Sequence, residues 1–385
     1  MNLNSHTPWR LVREDAVSAG YGLAADEFFT STYAAESTEH GATLRLYTYR
    51  DHCALVGRFQ NIHAELDLDA CQREEVEVGR RLTGGGAIIM GKDQLGICLA
   101  SHSKRFEWQT IRDLCAQLSV PVVQALAKLG IQATFRAKND LEVGGKKIAG
   151  LGVYVDPNGA FHFHTSLLVD LDIPQMLKVL QIPIQKFSDK QKVESVAQRI
   201  TTVSREAGRK VPVEEVRQLI QEQYASYFQI NLEEQAVTAE ERNHINRLAE
   251  ERYHQEEWLF QRSPQADMSG MSLKKTPAGL LRTYIGLKGE TIKSVLITGD
   301  FLEDTELFSK IESQLKWSPL DKAAIEKVVF AVFSKNEHPD LQINPEDVTN
   351  AIWMAAQRAH AAERYTYQGA CYYPEESGKV EELKS

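Results

Sequence analysis

Apolar and polar positions change period several times along the chain, and the changes mark out its elements. Between Leu23 and Ala35, Leu23, Phe28 and other apolar residues recur around Asp26 and Glu27 at helical spacing. LRLYTY (Leu44–Tyr49) alternates as a half-buried strand does, and CALVGRF (Cys53–Phe59) reads as a more buried strand. AIIMGKDQLGICLA predicts a strand pair, Ala87–Met90 and Leu95–Ala100, around a polar turn at Gly91–Gln94. In VPVVQALAKLGI, Val122, Val123, Leu126 and Leu129 share one helix face, and Gly130 stands where a left-handed cap would form. Strand-like pieces follow in KNDLEVGGKKIAGLGVYVD and AFHFHTSLLVD, joined by a turn at Asp156–Gly159. From Val213 to Leu248 the pattern is helical and charged, with Pro212 just ahead, where a helix start tolerates proline.

The periodicity weakens around Arg252–Gly270, punctuated by Ser263-Pro264 and Ser269-Gly270, and then starts afresh. Leu281–Leu287 and Thr291–Thr298 flank a KGE turn as a hairpin, and helices are predicted at Asp304–Leu315 and Asp321–Phe333. Together they make a small α+β unit of about the minimum size to hold its own core. Asn344, Pro345, Glu346 and Asp347 form a strong helix start, and that helix should run to about Glu363. The expected division is residues 1–250, 251–337 and a helical tail, 338–385, of unassigned role.

Composition narrows the class. The chain has 385 residues, 43% hydrophobic and 25% charged, so it reads as a soluble globular protein, and its length suggests two domains with a tail. A net charge of −9 argues against bulk steering to nucleic acid or to an anionic membrane. Cys53, Cys71, Cys98, Cys115 and Cys371 are scattered without a CxxC pair, which indicates neither a disulfide framework nor a zinc site. Cys98 and Cys115 fall on apolar faces, and Cys371 lies in a polar, aromatic tail. The start, MNLNSHTPWRLVRED, lacks the apolar core of a signal peptide, and no run approaches the roughly 18 apolar residues of a membrane span. A reducing, cytoplasmic location is therefore expected.

Three constellations carry chemistry. In RRLTGGGAI (residues 80–88), Arg80, Arg81 and Thr83 set cation and hydroxyl donors beside a glycine backbone with exposed amides, a combination that holds a carboxylate or phosphate. No Lys-Ser/Thr follows as in a P-loop, and a strand rather than a helix comes next, unlike a dinucleotide fingerprint. In KNDLEVGGKKIAG (residues 138–150), Lys147 stands at a strand start, where an ammonium can stabilise charge building on an oxygen. In HFHTSLL, His162 and His164 share one strand face; without a third ligand nearby they read as packing or pocket-lining residues.

Taken in order, these segments resemble the lipoate–protein ligase family within the biotin/lipoate ligase and octanoyltransferase superfamily. LVGRFQN (Leu55–Asn61) is similar to its GRxQN segment, and RRLTGGGAI to RRxSGGGAV. KNDLEVGGKKIAG is similar to the ND…KxSG block, and KVESVAQRI (Lys192–Ile200) to KxxSVxxRV. RYHQEEWLFQRSP resembles the entry to the accessory C-terminal domain of long-form ligases. The likeness covers roughly residues 10–335.

The resemblance implies an α/β (α+β) fold, with a large catalytic domain built on a central mixed sheet and a small accessory domain. It implies activation of lipoate with ATP and Mg2+ to lipoyl-adenylate, then transfer to a lysine of a lipoyl-domain acceptor. That acceptor would be a 2-oxoacid dehydrogenase subunit, a glycine-cleavage carrier or another lipoate-binding protein. Lys147 would be the catalytic lysine. Arg81, Thr83, Gly84, Gly85, Gly86, Ala87, Gln94, Gly150 and His164 would bind lipoate and the adenylate. Asn139 and Asp140 would organise the nucleotide, with Asp140 as metal ligand. The three glycines would leave no room for Cβ atoms where the ligand lies along the loop.

The sequence departs from the family at Met90-Gly91 for His-Asp, Gln94 for Asn, Ala149 for Ser and Thr165 for Gly. Two other functions compete. An ATP-independent octanoyl or lipoyl transferase needs a cysteine beside the lysine, and segment 136–170 has none. A non-catalytic lipoyl-domain binder would leave Arg81 and Lys147 without a purpose.

Overall fold

The computed structural model describes residues 7–34, 38–136, 139–181, 198–301, 306–335 and 343–364. Lys138, Cys371 and most of the KVESVAQRI block lie outside the described residues.

An eight-stranded mixed sheet organises the larger part. Its strands are β1 (Trp9–Val17), β2 (Ala42–Tyr49), β6 (Gln94–His102), β7 (Thr134–Arg136), β8 (Asp140–Val143), β9 (Lys146–Val155), β10 (Ala160–Leu168) and β11 (Leu232–Glu234). They run in the order β11-β1-β2-β6-β10-β9-β8-β7. β1 is parallel to both β11 and β2, and the remaining pairs are antiparallel. A separate small sheet orders β3 (Cys53–Val56), β4 (Glu77–Arg80) and β5 (Ile88–Met90) as β4-β3-β5.

The period-two alternation separates the two faces of the large sheet. Leu44, Leu46, Leu95, Ile97, Leu99, Phe161, Phe163 and Leu167 point to one side. There they pack under the helices α2 (Ile111–Lys128) and α3 (Val213–Phe228). Residues of opposite parity, among them Tyr47, Cys98, His162 and His164, face the other side. Helix α1 (Ala19–Ser31) lies there, with α4 (Ala239–Leu248) against it. Both sides are covered, so all eight residues of β2 are buried and the strand is not half-exposed.

Several boundaries differ from the sequence reading. β1 is not evident from pattern because its charges interrupt the alternation. The fold neutralises them: Arg10 pairs with Glu241, Asp15 with Arg217 and Arg13 with Glu214. α2 starts at Ile111, nine residues ahead of the predicted Val120, behind a Thr110–Asp113 capping box, and runs through Pro121. Gly130 has φ +78, as the predicted cap requires. The single helical run expected over 213–248 is two helices, broken where Gln229 takes φ +52 and β11 joins the sheet edge.

The C-terminal part is a four-stranded antiparallel sheet: β12 (Gly270–Thr276), β13 (Gly279–Lys288), β14 (Thr291–Gly299) and β15 (Ser318–Pro319). The predicted hairpin is its centre, and β12 is an addition. Helices α5 (Glu306–Leu315), α6 (Lys322–Lys335) and α7 (Pro345–Arg364) share one core with Leu281, Ile285, Ile292 and Ile297. α7 is the helix predicted at Asn344. It lays Val348, Ala351, Ile352, Ala355 and Ala359 onto the sheet, Ser272 Oγ donates to the Ala351 carbonyl at 2.6 Å, and Lys274 pairs with Asp347.

Candidate active site

Two cross-strand rows form the floor of the site. One runs Arg45–Cys98–His164–Gly152 across β2, β6, β10 and β9; the next runs Tyr47–Gly96–Ser166–Gly150. The strand glycines are there because large side chains lie flat over them. A methyl group at Gly96 would meet the Tyr47 ring at 2.6 Å. At Gly152 it would meet His164 Cε1 at 2.6 Å and Thr83 Cβ at 3.1 Å, and at Gly150 it would meet Lys147 Nζ at 3.1 Å. Gly150 and Gly152 are two residues apart on one face, roughly 6.6 Å. The ammonium of Lys147 therefore sits one step along the strand from the place where Thr83 meets His164.

Lys147 opens β9 and pairs with Asp140 of β8, Nζ to Oδ1 2.6 Å, across a register shift at Leu141/Glu142. Its main chain is clamped: Lys147 N donates to the Arg199 carbonyl and Thr201 N donates to the Lys147 carbonyl, both at 2.8 Å. The end of the KVESVAQRI block thus fixes the strand that carries the lysine.

Burial governs the ionisation of the histidines. It pushes His164 well below its ordinary value, and the nearby charges of Arg81 and Lys147 push the same way, so the ring is neutral; its Nδ1 lies 3.1 Å from Thr83 Oγ1. His162, bonded to Thr30 Oγ1 at 2.8 Å, is lowered by burial to about 4.

The glycine loop is shaped by its neighbours in an unexpected way. Gly85 has φ +95, which favours glycine, and a methyl group on Gly57 would run into the Gly85 carbonyl oxygen. The GRFQN and GGG segments are therefore one packed unit. At Gly86, by contrast, a Cβ would meet nothing within 4 Å. The protein itself therefore does not crowd Gly86, and the loop is open there.

The two arginines are engaged differently. Arg80 donates to the carbonyls of Gly57, Arg58, Gln60 and Leu259 and holds the loop instead of facing a ligand. Arg81 donates to the Leu55 and Gly86 carbonyls at 2.6 and 2.9 Å, while its buried Nε has no protein partner. Burial lowers Arg80 to about 9 and Arg81 to about 10.

A narrow cavity opens over the glycine floor. Arg81, Thr83, His164 and Ser166 line one part, and Leu23, Tyr47, Tyr49, Met90 and Tyr253 line another. The other predicted residues lie elsewhere. Asn139 Nδ2 donates to the Leu151 carbonyl at 3.2 Å, Gln94 Nε2 to the Asp170 carbonyl at 2.6 Å, and Ala87 packs beneath the three-stranded sheet.

Sequence reasoning missed Asp26, Tyr47, Tyr49 and Tyr253 as cavity residues. The usable signal was a charge inside a buried strand. Arg45 is fully buried, its Nη1 bound to Asp26 at 2.8 Å and its Nε to Glu14 at 2.8 Å, while Tyr47 Oη donates to Asp26 at 3.0 Å. Burial alone would lower that guanidinium; Asp26 and Glu14 raise it above its ordinary value.

The C-terminal four-stranded sheet docks on the same loops. Gly85 N donates to the Phe301 carbonyl at 2.6 Å, Gly299 N to the Phe59 carbonyl at 2.9 Å and Asn61 Nδ2 to Tyr284 Oη at 3.0 Å; Arg282 pairs with Glu65. Among the described residues, no three His, Cys, Asp or Glu side chains converge as a metal site, and no helix is long and apolar enough to cross a membrane.

A mixed sheet with a glycine loop on one face and a small α+β unit docked on that loop is the fold class of the lipoate ligases. The chain belongs to the lipoyl protein ligase A/B family: the model of that catalytic domain matches residues 18–225, and the bacterial lipoate protein ligase C-terminus matches residues 267–352. Lipoate-protein ligase LplJ of Bacillus subtilis is 26% identical over 300 residues, 78% of this chain and 87% of that protein. Octanoyltransferase LipM of Geobacillus kaustophilus is 23% identical over 277 residues, 66% of this chain and 98% of that protein. The solved bi-partite lipoate protein ligase of Thermoplasma acidophilum, described with its E2 lipoyl domain, superposes with a TM-score of 0.59 at 26% identity, covering 68% of this chain and 99% of that one.

Proposed function

We propose that this chain is an ATP-dependent lipoate–protein ligase. The observation that carries this reading is the Lys147 ammonium, held by Asp140 and one strand step from the place where Thr83 of the glycine loop meets His164. A lipoate carboxylate placed there attacks the α-phosphorus of ATP and pyrophosphate leaves. The acceptor lysine amine then attacks the acyl carbonyl and AMP leaves, with loss of a proton from the amine. Lys147 stabilises the negative oxygens of both steps, and the fixed geometry lowers the barrier further. Arg81 lines the cavity, and its buried Nε has no protein partner. Neutral His164 orients the Thr83 hydroxyl.

Magnesium is held in enzymes by one or two carboxylates together with substrate phosphates. Asp140 fits as that carboxylate, and the ion would supply charge neutralisation of the phosphates. The acceptor in this reading is a lipoyl-domain protein.

The likeness to an octanoyltransferase favours a second reading, transfer through a cysteine thioester without ATP. Cys98 is the thiol facing the site. Burial, then Asp26, pushes it well above its ordinary value, the opposite of an activated nucleophile. Lipoate-dependent exchange of pyrophosphate into ATP separates the two. The ligase shows it, and Lys147→Ala lowers it by about 10²–10³-fold. Acyl transfer from a carrier protein with no ATP present would favour the transferase.

A further inference from the structure

The segment that follows α4 leaves α-helical geometry. Ala249–Tyr253 is a π-turn, closed by His254 N donating to the Ala249 carbonyl at 2.9 Å. Such turns insert one residue into a helix and re-aim the side chains that follow. Here the turn ends on Tyr253, which is 3% exposed and lines the cavity described above. Tyr253 Oη donates to Glu27 of α1 at 2.8 Å, and its ring meets Trp258 edge-on at 5.9 Å between centroids. Trp258 Nε1 in turn donates to the Arg80 carbonyl at 3.0 Å. The tyrosine thus comes from chain beyond the residues matched by the catalytic-domain family model, and it is fixed on three sides.

Its position relative to Lys147 follows from strand order. Lys147 belongs to β9, whereas the α1 side chains beside Glu27 reach β2, where Asp26 binds Arg45 and Tyr47. β9 and β2 are separated by β10 and β6, three strand spacings or roughly 14 Å. The cavity lining includes Thr83, His164 and Ser166 on the β9 side and Tyr47, Tyr49, Met90 and Tyr253 on the β2 and α1 side. At that end the Tyr47 and Tyr253 hydroxyls are engaged by Asp26 and Glu27, so the wall offers ring surface and a thioether.

We propose that Tyr253 is the end stop of the acyl slot, a specificity-determining residue that restricts this enzyme to medium-length acyl chains with a compact terminus. This rests on the acyl-activating reading above. Removing the ring lengthens the slot; keeping the ring without its hydroxyl does not.

The test uses the full chain with hexanoate, octanoate, decanoate, dodecanoate and lipoate. Binding is read as the rise in Tm that each acid produces without ATP, and activation as kcat/KM for acid-dependent pyrophosphate exchange. In the wild type, each methylene beyond the fitting length lowers kcat/KM by about tenfold or more. Tyr253→Ala should raise the dodecanoate-to-octanoate ratio at least tenfold, in both the Tm and the kinetic series. Tyr253→Leu, which keeps apolar volume if the alanine variant folds poorly, should give a smaller shift in the same direction. Tyr253→Phe should keep the wild-type profile. If the variants lose affinity equally for every acid, or keep the wild-type length profile, Tyr253 is not the end stop, although the ligase reading stands. If the wild type neither gains Tm with any acid nor exchanges pyrophosphate, the ligase reading falls and this proposal with it.

Discussion

Glycines interrupt strands in both large sheets, for opposite purposes. On the site face of the eight-stranded sheet, Gly96, Gly150 and Gly152 clear space for Tyr47, Lys147 and His164, side chains that reach into or beside a cavity. In the four-stranded sheet, a methyl on Gly270 would strike the Ala355 carbonyl oxygen and would lie 2.6 Å from Ala359 Cβ, so the gap is filled by the backbone of α7. A strand glycine therefore marks close approach without saying what approaches. Where the neighbour is the tip of a functional side chain, the cost of adding a methyl falls on activity. Where it is a packed backbone, the cost falls on stability.

That contrast can be broken by substitution. Gly152→Ala should have the largest effect, lowering kcat/KM for pyrophosphate exchange on the order of 10²-fold, because a displacement of about 1 Å at His164 and Thr83 is enough to spoil alignment. Its Tm should stay near that of the wild type, and a large fall in Tm with unchanged kinetics would reverse the assignment. Gly270→Ala should do the converse, lowering unfolding free energy by about 1–3 kcal/mol in denaturant titrations while the folded enzyme keeps its rate. Gly150→Ala should cost only a few-fold in kcat/KM, because Lys147 Nζ at 3.1 Å is the end of a flexible chain.

The smallest effect concerns pH. His162 is held neutral by burial, with its folded value lowered to about 4. The unfolded chain takes up that proton at about pH 6.5, so stability is complete above 6.5, falls as pH drops toward 4 and then levels off. His162→Phe should flatten that part of the stability curve, measured as Tm from pH 7 to pH 4.

Much of the fold was legible because alternation and caps are local. The strands at Leu44–Tyr49 and Leu95–Ala100, the hairpin around the KGE turn, the Gly130 cap and the Pro345 helix start depend on a few adjacent residues and a period. β1 was not legible, since its charges are balanced by α3 and α4 more than 200 residues away. In the site, Lys147, Thr83 and His164 were found through motifs; Thr83 and His164 meet, and Lys147 lies one strand step away. Asn139 and Gln94 came from the same motifs and are instead bonded to main-chain carbonyls. Tyr253 had no signature, because only the π-turn aims it at the cavity.

Taken alone, the order of residues determined the lysine, the glycine loop and the family they resemble, because each is a short segment whose chemistry depends on adjacent residues. The tertiary structure decided which donors remain available. Arg80 and Arg81 look alike in sequence, yet one is engaged by four carbonyls and the other lines the cavity with a buried Nε that has no protein partner. The carbonyls that engage Arg80 come from distant segments, and a hydrogen bond needs its partner within about 3 Å, so chain order alone cannot show which arginine is left to meet a ligand.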